Sequence, residues 1–225
     1  MDTLGDNFFT VGEAIVRMKV SRGKNLRLRI DGRTAEITAY YPRGYPIKKA
    51  ESFVLSRREW IESARKKVLE RIAAATPPEG CVRLFGEDVF VEKIEGNRSF
   101  FSGGAIFLAA KDDEKAALDK FLRQVLSDYL AESVAVYSEK TGLKPAVWRI
   151  RKMRGRWGSC NHATGAITFN AYLVRFKREC IDYIVLHELA HLKYPNHQKE
   201  FKEYISAFMP DWKNRKKLLN GGGII

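Results

Sequence analysis

Residues 187–197 read His-Glu-Leu-Ala-His-Leu-Lys-Tyr-Pro-Asn-His, and this window holds three of the four histidines in a chain of 225 residues. His187 and His191 stand four residues apart, about 400° around an α-helix, so their imidazoles share one face and can bind a single metal ion. Glu188 then lies beside that ion, where a carboxylate is placed to take a proton from water activated by the metal. His197, beyond the helical turn, completes a set of nitrogen donors suited to one Zn2+ per chain with a coordination position left open. Its spacing from His191 matches the longer pattern HExxHxxGxxH, but Tyr194 stands where that pattern has glycine. Pro195 offers another way to end the helix, because it disfavours the helical conformation in Tyr194 and cannot donate a backbone bond. Glu200 is the rival third ligand.

The elements that must position these residues follow from periodicity. Ile181, Ile184 and Val185 precede the motif at helical spacing, so a core helix is expected over Glu179 to Lys193. Before it, Val147 to Met153 reads as a strand, Arg154 to Ala163 as a loop and Ala166 to Asn170 as a strand, with helices over 198–208 and 212–219 closing the chain. Lys111 to Lys140 carries Leu118, Phe121, Leu122, Val125, Leu126, Tyr129 and Leu130 at helical spacing and predicts a second core helix. In the N-terminal part, Ala14 to Val20, Leu26 to Ile30 and Ala35 to Tyr41 alternate as a twisted β-meander with a turn at Asp31-Gly32. One long helix, with a bend allowed, is predicted over Ile47 to Ala75, burying Phe53, Trp60, Ile61, Ala64 and Val68 on one stripe. Thr76 to Gly80 is a turn or linker, and short strands follow at 82–85, 89–94 and 105–109. Trp60, Phe121 and Tyr129 read as core aromatics rather than a ligand box. No internal repeat is visible. The order of elements predicts an α+β protein, with a β-rich region bearing one long helix over 1–110 and a catalytic domain over 111–225, or one continuous domain.

Three cysteines without CxxC spacing, Cys81, Cys160 and Cys180, argue against a disulfide framework and for buried thiols. Met1 to Thr10 carries two aspartates and no basic start, and no apolar run reaches the length of a membrane span, so a soluble cytoplasmic protein is expected. The net charge of +13 is uneven: residues 1–139 hold 23 basic and 21 acidic side chains, and residues 140–225 hold 17 and 6. A field of that sign around the metal motif attracts anions, so acidic polypeptides, nucleotides and nucleic acid are all compatible partners.

Arg156-Trp157-Gly158-Ser159-Cys160, then Ile167 to Asn170, Asp182 to Leu186, HELAH, Asn196-His197 and Phe201 resemble the YgjP-like family of zinc metallopeptidases. The resemblance spans most of the chain and is strongest from Val147 to Trp212. It implies a zincin-like catalytic domain of minimal size, distantly similar to SprT-like proteins, with His187, His191 and His197 as zinc ligands and Glu188 as catalytic base. Family members often have proline just before the metal helix, where this chain has Phe176-Lys177-Arg178.

In the Arg156 to Cys160 loop, Gly158 permits geometry that a side chain would block, Trp157 can pack beneath, and Ser159 can bond to main chain. Arg156 and Asn170 are candidate substrate contacts. His162 is a candidate donor to a developing oxyanion, and Cys160 or His162 could approach the metal as a fourth ligand. Three functions remain open: a peptidase using zinc-activated water with Glu188 as general base, a metal-dependent phosphohydrolase of the pyrophosphatase type acting on nucleotides, and a nucleic-acid-associated protein with secondary zinc chemistry. For the peptidase, the Ala166 to Asn170 strand is expected to receive an extended peptide by edge pairing. The phosphohydrolase lacks a recognised phosphate loop, and the third reading lacks a helix-turn-helix or zinc-finger pattern.

Overall fold

Strands and helices follow one another in the α+β manner that the sequence predicts, in a computed structural model that describes residues 7–32, 34–110 and 112–222. Two compact units part at the proline-containing Thr76 to Gly80 segment, the first ending at Ala75 and the second starting at Thr76. Pro77 and Pro78 withhold two backbone donors and bias the residue before each away from helix, so the preceding helix stops there.

In the first unit, β1 (Asn7–Val11) and β2 (Ala14–Ser21) form a hairpin on Gly12, whose φ of +56° suits a residue without a Cβ. β3 (Arg27–Ile30) and β4 (Ile37–Pro42) follow. The expected meander is not formed. The sheet order is β1-β2-β4-β3, with β2 and β4 parallel and both outer pairs antiparallel. Burial accounts for the difference: Val16, Met18, Ile37 and Ala39 give β2 and β4 apolar inner faces fit for the centre of the sheet. β3, reading Arg-Leu-Arg-Ile, carries cations that an edge tolerates. The inner face packs on α1 (Ile47–Ser56) and α2 (Arg58–Ala75) through Ala50, Val54 and Ile61. The helix predicted over 47–75 breaks at Arg57, which takes φ −108° and ψ 15°. That bend turns Ile61 to the core and leaves Trp60, expected on the buried stripe, 51% exposed.

The second unit opens with β5 (Cys81–Leu84), β6 (Glu87–Ile94), β7 (Phe100–Ser102) and β8 (Ala105–Ala109). Their order, β5-β6-β8-β7 with β6 and β8 parallel, repeats the first sheet. The repeat includes the register. Arg17 pairs with Thr38 as Phe90 pairs with Ala105, and Lys19 with Tyr40 as Glu92 with Phe107. The sequence conceals this repeat because topology is shared and residue identity is not.

Helix α3 (Glu114–Thr141) starts where Asp113 accepts a hydrogen bond from the Ala116 amide at 2.9 Å, and it stops at left-handed Gly142. Its Leu126, Leu130 and Val134 share one core with Ile181, Val185 and Leu189 of α4 (Arg178–Ala190). Asp182 of α4 accepts from the Tyr129 and Ser133 hydroxyls of α3, each at 2.7 Å, which fixes the rotation of α4. Beside α4 lies a third sheet of β9 (Val147–Arg151), β10 (Gly158–Asn161) and β11 (Ala166–Asn170), in the order β10-β11-β9. The segment expected as a loop therefore contains a strand. β11, expected to receive a peptide at its edge, is the middle strand, with β10 on one side and β9 on the other. A 3-10 turn (Ala171–Arg175) leads to α4, and α5 (Lys199–Phe208) and α6 (Trp212–Gly222) finish the described chain. No helix among the described residues is long and apolar enough to cross a membrane.

Candidate metal centre

Burial of Ile181, Ile184, Val185 and Leu186 seats α4 so that its last turn carries His187 and Glu188 and its C-cap is His191. The regular helix ends at Ala190, and the Tyr194 amide still donates to the Ala190 carbonyl at 2.9 Å. Past Pro195 the chain reverses before α5, and the reversal returns His197 to the two helical histidines. The donor nitrogens of His187, His191 and His197 lie within 4.8 Å of one another, and Nε2 of His187 is 2.9 Å from Nε2 of His197. Donors about 2.0–2.1 Å from a tetrahedral centre stand roughly 3.3 Å apart, so the three imidazoles fit a single divalent cation.

Orientation comes from the other ring nitrogens. His191 Nδ1 faces the Tyr194 carbonyl at 2.9 Å, so that nitrogen carries the hydrogen and Nε2 is left as the donor to a metal. His187 Nδ1 faces the Tyr183 hydroxyl at 3.4 Å. Phe201, buried on α5, lies under all three rings with centroid distances of 5.0, 4.8 and 4.8 Å. Burial, then neighbouring His191 and His197, pushes His187 down from 6.5 to about 3, and burial followed by His191 lowers His197 as well. The His187 and His197 imidazoles are thereby held neutral near pH 7, the form in which imidazole ligates metal. Among the described residues these three form the group able to hold an ion, and Glu200, Cys160 and His162 lie outside it.

Glu188 is 4% exposed, and its Oε2 has no hydrogen-bond partner in the protein. Burial raises its carboxyl from 4.5 to about 8, with Arg156 pulling weakly the other way. Space for this side chain comes from Gly158 on β10. A Cβ there would stand 2.5 Å from Glu188 Oε1 and 2.6 Å from its Cγ. Gly158 does not have a positive φ, so the glycine serves close approach rather than an unusual backbone angle.

A cleft of about 570 Å³ is lined by Arg156, His162, His187, Glu188, His191 and His197, together with residues of β10 and α6. Asn170 is not among its lining residues. It is fully buried, donates to the Met153 and Arg156 carbonyls at 3.1 and 2.8 Å, and accepts from the Tyr172 amide at 3.1 Å. Its place is beneath the loop that carries Arg156. His162 Nδ1 faces the His191 carbonyl at 3.1 Å and must therefore bear the hydrogen of that contact. Burial, with help from Glu188, pushes the Cys160 thiol up to about 11, so it remains a thiol near pH 7.

Tyr183 and Lys216 line the cleft beside the residues the sequence marks. Tyr183 lies one turn before His187, and the i, i+4 rule that found the histidine pair also finds it. Lys216 arrives from α6 through tertiary packing, and no local pattern marks it.

A family model described as YgjP-like, metallopeptidase domain, matches residues 24–221. Among solved structures, the metallopeptidase zymogen of abylysin from Pyrococcus abyssi is 23% identical with a TM-score of 0.38, over 40% of this chain and 92% of that one. The metallopeptidase zymogen of jannalysin from Methanocaldococcus jannaschii is 22% identical with a TM-score of 0.39, over 42% and 90%. No curated protein matches the chain.

Proposed function

Because the chain belongs to the YgjP-like family of metallopeptidase domains, we propose that it hydrolyses peptide bonds with one zinc ion held by His187, His191 and His197, and with Glu188 as general base. The observation that carries this reading is the convergence of three imidazole nitrogens beside a buried carboxylate whose Oε2 has no protein partner. When bound, zinc supplies Lewis acidity, which acidifies water and polarises a peptide carbonyl.

The chain's own residues do the rest. Glu188 accepts a proton from the attacking water and delivers it to the leaving amine, a role open to a buried carboxylate whose Oε2 has no partner in the protein. Gly158 lets the carboxylate lie flat against β10. The His191 and Tyr183 contacts hold the donor rings in place. His162 lines the same cleft, with its Nδ1 held on the His191 carbonyl.

The peptide lies along β10, the edge strand that lines the cleft, in place of β11. Trp157 and Asn161 turn their carbonyls inward, to the amides of Asn170 and Gly165. Strand alternation then points the N–H and C=O groups of Gly158 and Cys160 outward, where an extended peptide can pair with them.

The test is cleavage of a broad peptide library by zinc-loaded protein, beside Glu188→Gln and His197→Ala. Expected are about one zinc per wild-type chain, retained zinc with lost cleavage in Glu188→Gln, and reduced zinc in His197→Ala. Undiminished cleavage by zinc-loaded Glu188→Gln removes the assigned base. Arg156 and Lys216 in the same cleft favour a second reading, hydrolysis of nucleotide phosphoanhydrides. Phosphate or pyrophosphate released from nucleoside triphosphates by the same preparation, with no peptide cleaved, would replace the peptidase assignment.

A further inference from the structure

The outer face of the first sheet carries an arrangement unconnected with peptide hydrolysis. Register places Phe8, Arg17, Thr38 and Arg29 in one row across the four strands, and Lys19, Tyr40 and Arg27 in the next. Their sequence neighbours Phe9, Val16, Met18, Leu28, Ile37 and Ala39 belong to the core on the inner face, so these two rows look outward. Phe8 is 62% exposed, and no acidic residue occurs within any of the four strands. Arg17 lies over the Phe8 ring at 5.6 Å, and Arg27 over the Tyr40 ring at 5.0 Å.

The fold does not require this chemistry. The β5–β8 sheet has the same register and bears Phe90, Glu92, Ser102 and Phe100 where the first has Arg17, Lys19, Arg29 and Arg27. One architecture thus supports a cationic face in one unit and a face of aromatic, acidic and small residues in the other.

The geometry points to the outer face of the β1–β4 sheet as a binding surface for single-stranded nucleic acid. Arg17 and Lys19 form one rank of cations on β2, Arg29 and Arg27 form another on β3, and β4 lies between them with Thr38 and Tyr40 on its outer side. Two strand spacings set the ranks ~9.5 Å apart, and alternate residues within a rank stand ~6.6 Å apart. Such a trough takes one extended strand between its walls and is too narrow to flank a duplex. The guanidinium and ammonium groups pair with phosphates, and as Arg17 and Arg27 move to the phosphates they release the Phe8 and Tyr40 ring faces they lie over for bases to stack on. An acidic peptide would satisfy the cations and leave the rings unused. The contact between Arg29 and Asp31, at 4.0 Å on the surface, is of a kind that a phosphate displaces. This surface lies in the first unit, not in the basic C-terminal half to which the sequence pointed.

The test is fluorescence anisotropy of a labelled oligothymidine of about 15 nucleotides with the full chain, with a chelator present so that the metal cleft takes no part. Binding is expected at low salt, weakening with a log–log slope of about −2 to −3, as four cations on a single strand require. Arg27→Glu with Arg29→Glu should lose at least tenfold in affinity and flatten the slope. Lys66→Glu with Lys67→Glu makes the same charge change on α2, in the helical layer, and should stay within about twofold. Phe8→Ala should lose about fivefold and leave the slope unchanged, the mark of stacking rather than charge. Absence of binding at about 50 mM salt overturns the proposal, as does equal loss in the two double variants. So does binding that polyglutamate or anionic vesicles compete away as well as the oligonucleotide does, with Phe8→Ala indistinguishable from wild type.

Discussion

Glu188 and Gly158 are separated by thirty positions, yet the place of one side chain depends on the absence of the other. Adding one methyl at Gly158 puts a carbon 2.5 Å from Glu188 Oε1, so the carboxylate must swing away from the position it holds beside the three imidazoles. Gly158→Ala should therefore keep its zinc and lose about a hundredfold in kcat/KM on any peptide the wild type cleaves, since displacement by about 1 Å has that effect on a positioned group. Unchanged turnover would mean that Glu188 works from a different rotamer. Buried charge at the same site makes the metal-free protein sensitive to pH in two opposing ways. Between about 4.5 and 8 the native state keeps a proton on Glu188 that the unfolded chain has released, so stability falls as pH rises. Between about 3 and 6.5 the unfolded chain keeps a proton on His187 that the native state rejects, so stability rises with pH. Chelated protein should gain Tm from pH 3 to about 4.5, stay nearly level to about 6.5, and lose Tm toward pH 8. A steady rise to pH 8 in thermal melts would contradict the buried, protonated Glu188. The histidine pair and Glu188 were legible in the sequence because i, i+4 spacing is local. The reason for Gly158 was not, since its partner comes from another element.

Among the elements, β10 illustrates how a short strand escapes sequence reading. Gly158-Ser159-Cys160-Asn161 has no apolar alternation, and its register is set from outside, by β11 and by the Asn170 side chain beneath the preceding loop. Asn170 ends β11 and ties the loop to it through the Met153 and Arg156 carbonyls, with no solvent exposure. Asn170→Ala removes the hydrogen bonds that this side chain makes to the Met153 and Arg156 carbonyls and the Tyr172 amide, and the expected cost is about 2–4 kcal/mol in urea unfolding. Because the loop carries Arg156 and feeds the edge strand, KM should also rise while zinc content stays at one per chain. Normal stability in that variant would move Asn170 out of the structural role its bonds define. Helices fared better than sheets for a physical reason. The stripe Leu126, Leu130 and Val134 on α3 is a local pattern, whereas the β2–β4 parallel pair depends on which strands bury more and on a β3 edge that tolerates arginine. Trp60 marks the limit of periodicity even in helices, because a bend at Arg57 is enough to turn it outward.

Across the whole molecule, charge varies along the chain in blocks rather than by halves. Residues 1–75 hold 16 basic and 9 acidic side chains, residues 76–139 hold 7 and 12, and residues 140–225 hold 17 and 6. Counting to residue 139 merges a basic first unit with an acidic stretch and yields near neutrality, which hides the cationic sheet face. The units also differ in what they bury. Among the described residues, the second holds a core of 25 buried residues that includes those of α4, and the first holds nine on one side of one sheet. A core that small leaves a segment of about 70 residues marginal by itself, whereas about 150 residues around a single core are ample. A chain beginning at Thr76 should therefore unfold cooperatively in urea and bind about one zinc, since all three histidines, Glu188, Gly158 and Phe201 belong to it. Residues 1–75 alone should show a broad, weak transition. In the intact chain, limited proteolysis should cut first within Thr76 to Gly80, where two prolines leave amide positions without donors and Gly80 takes a left-handed turn. Zinc per chain, measured by elemental analysis on the fragment from Thr76 onward, decides the matter. A folded fragment without metal would mean that the first unit helps to hold His197 in place, and an unfolded fragment would mean that the two cores form only together.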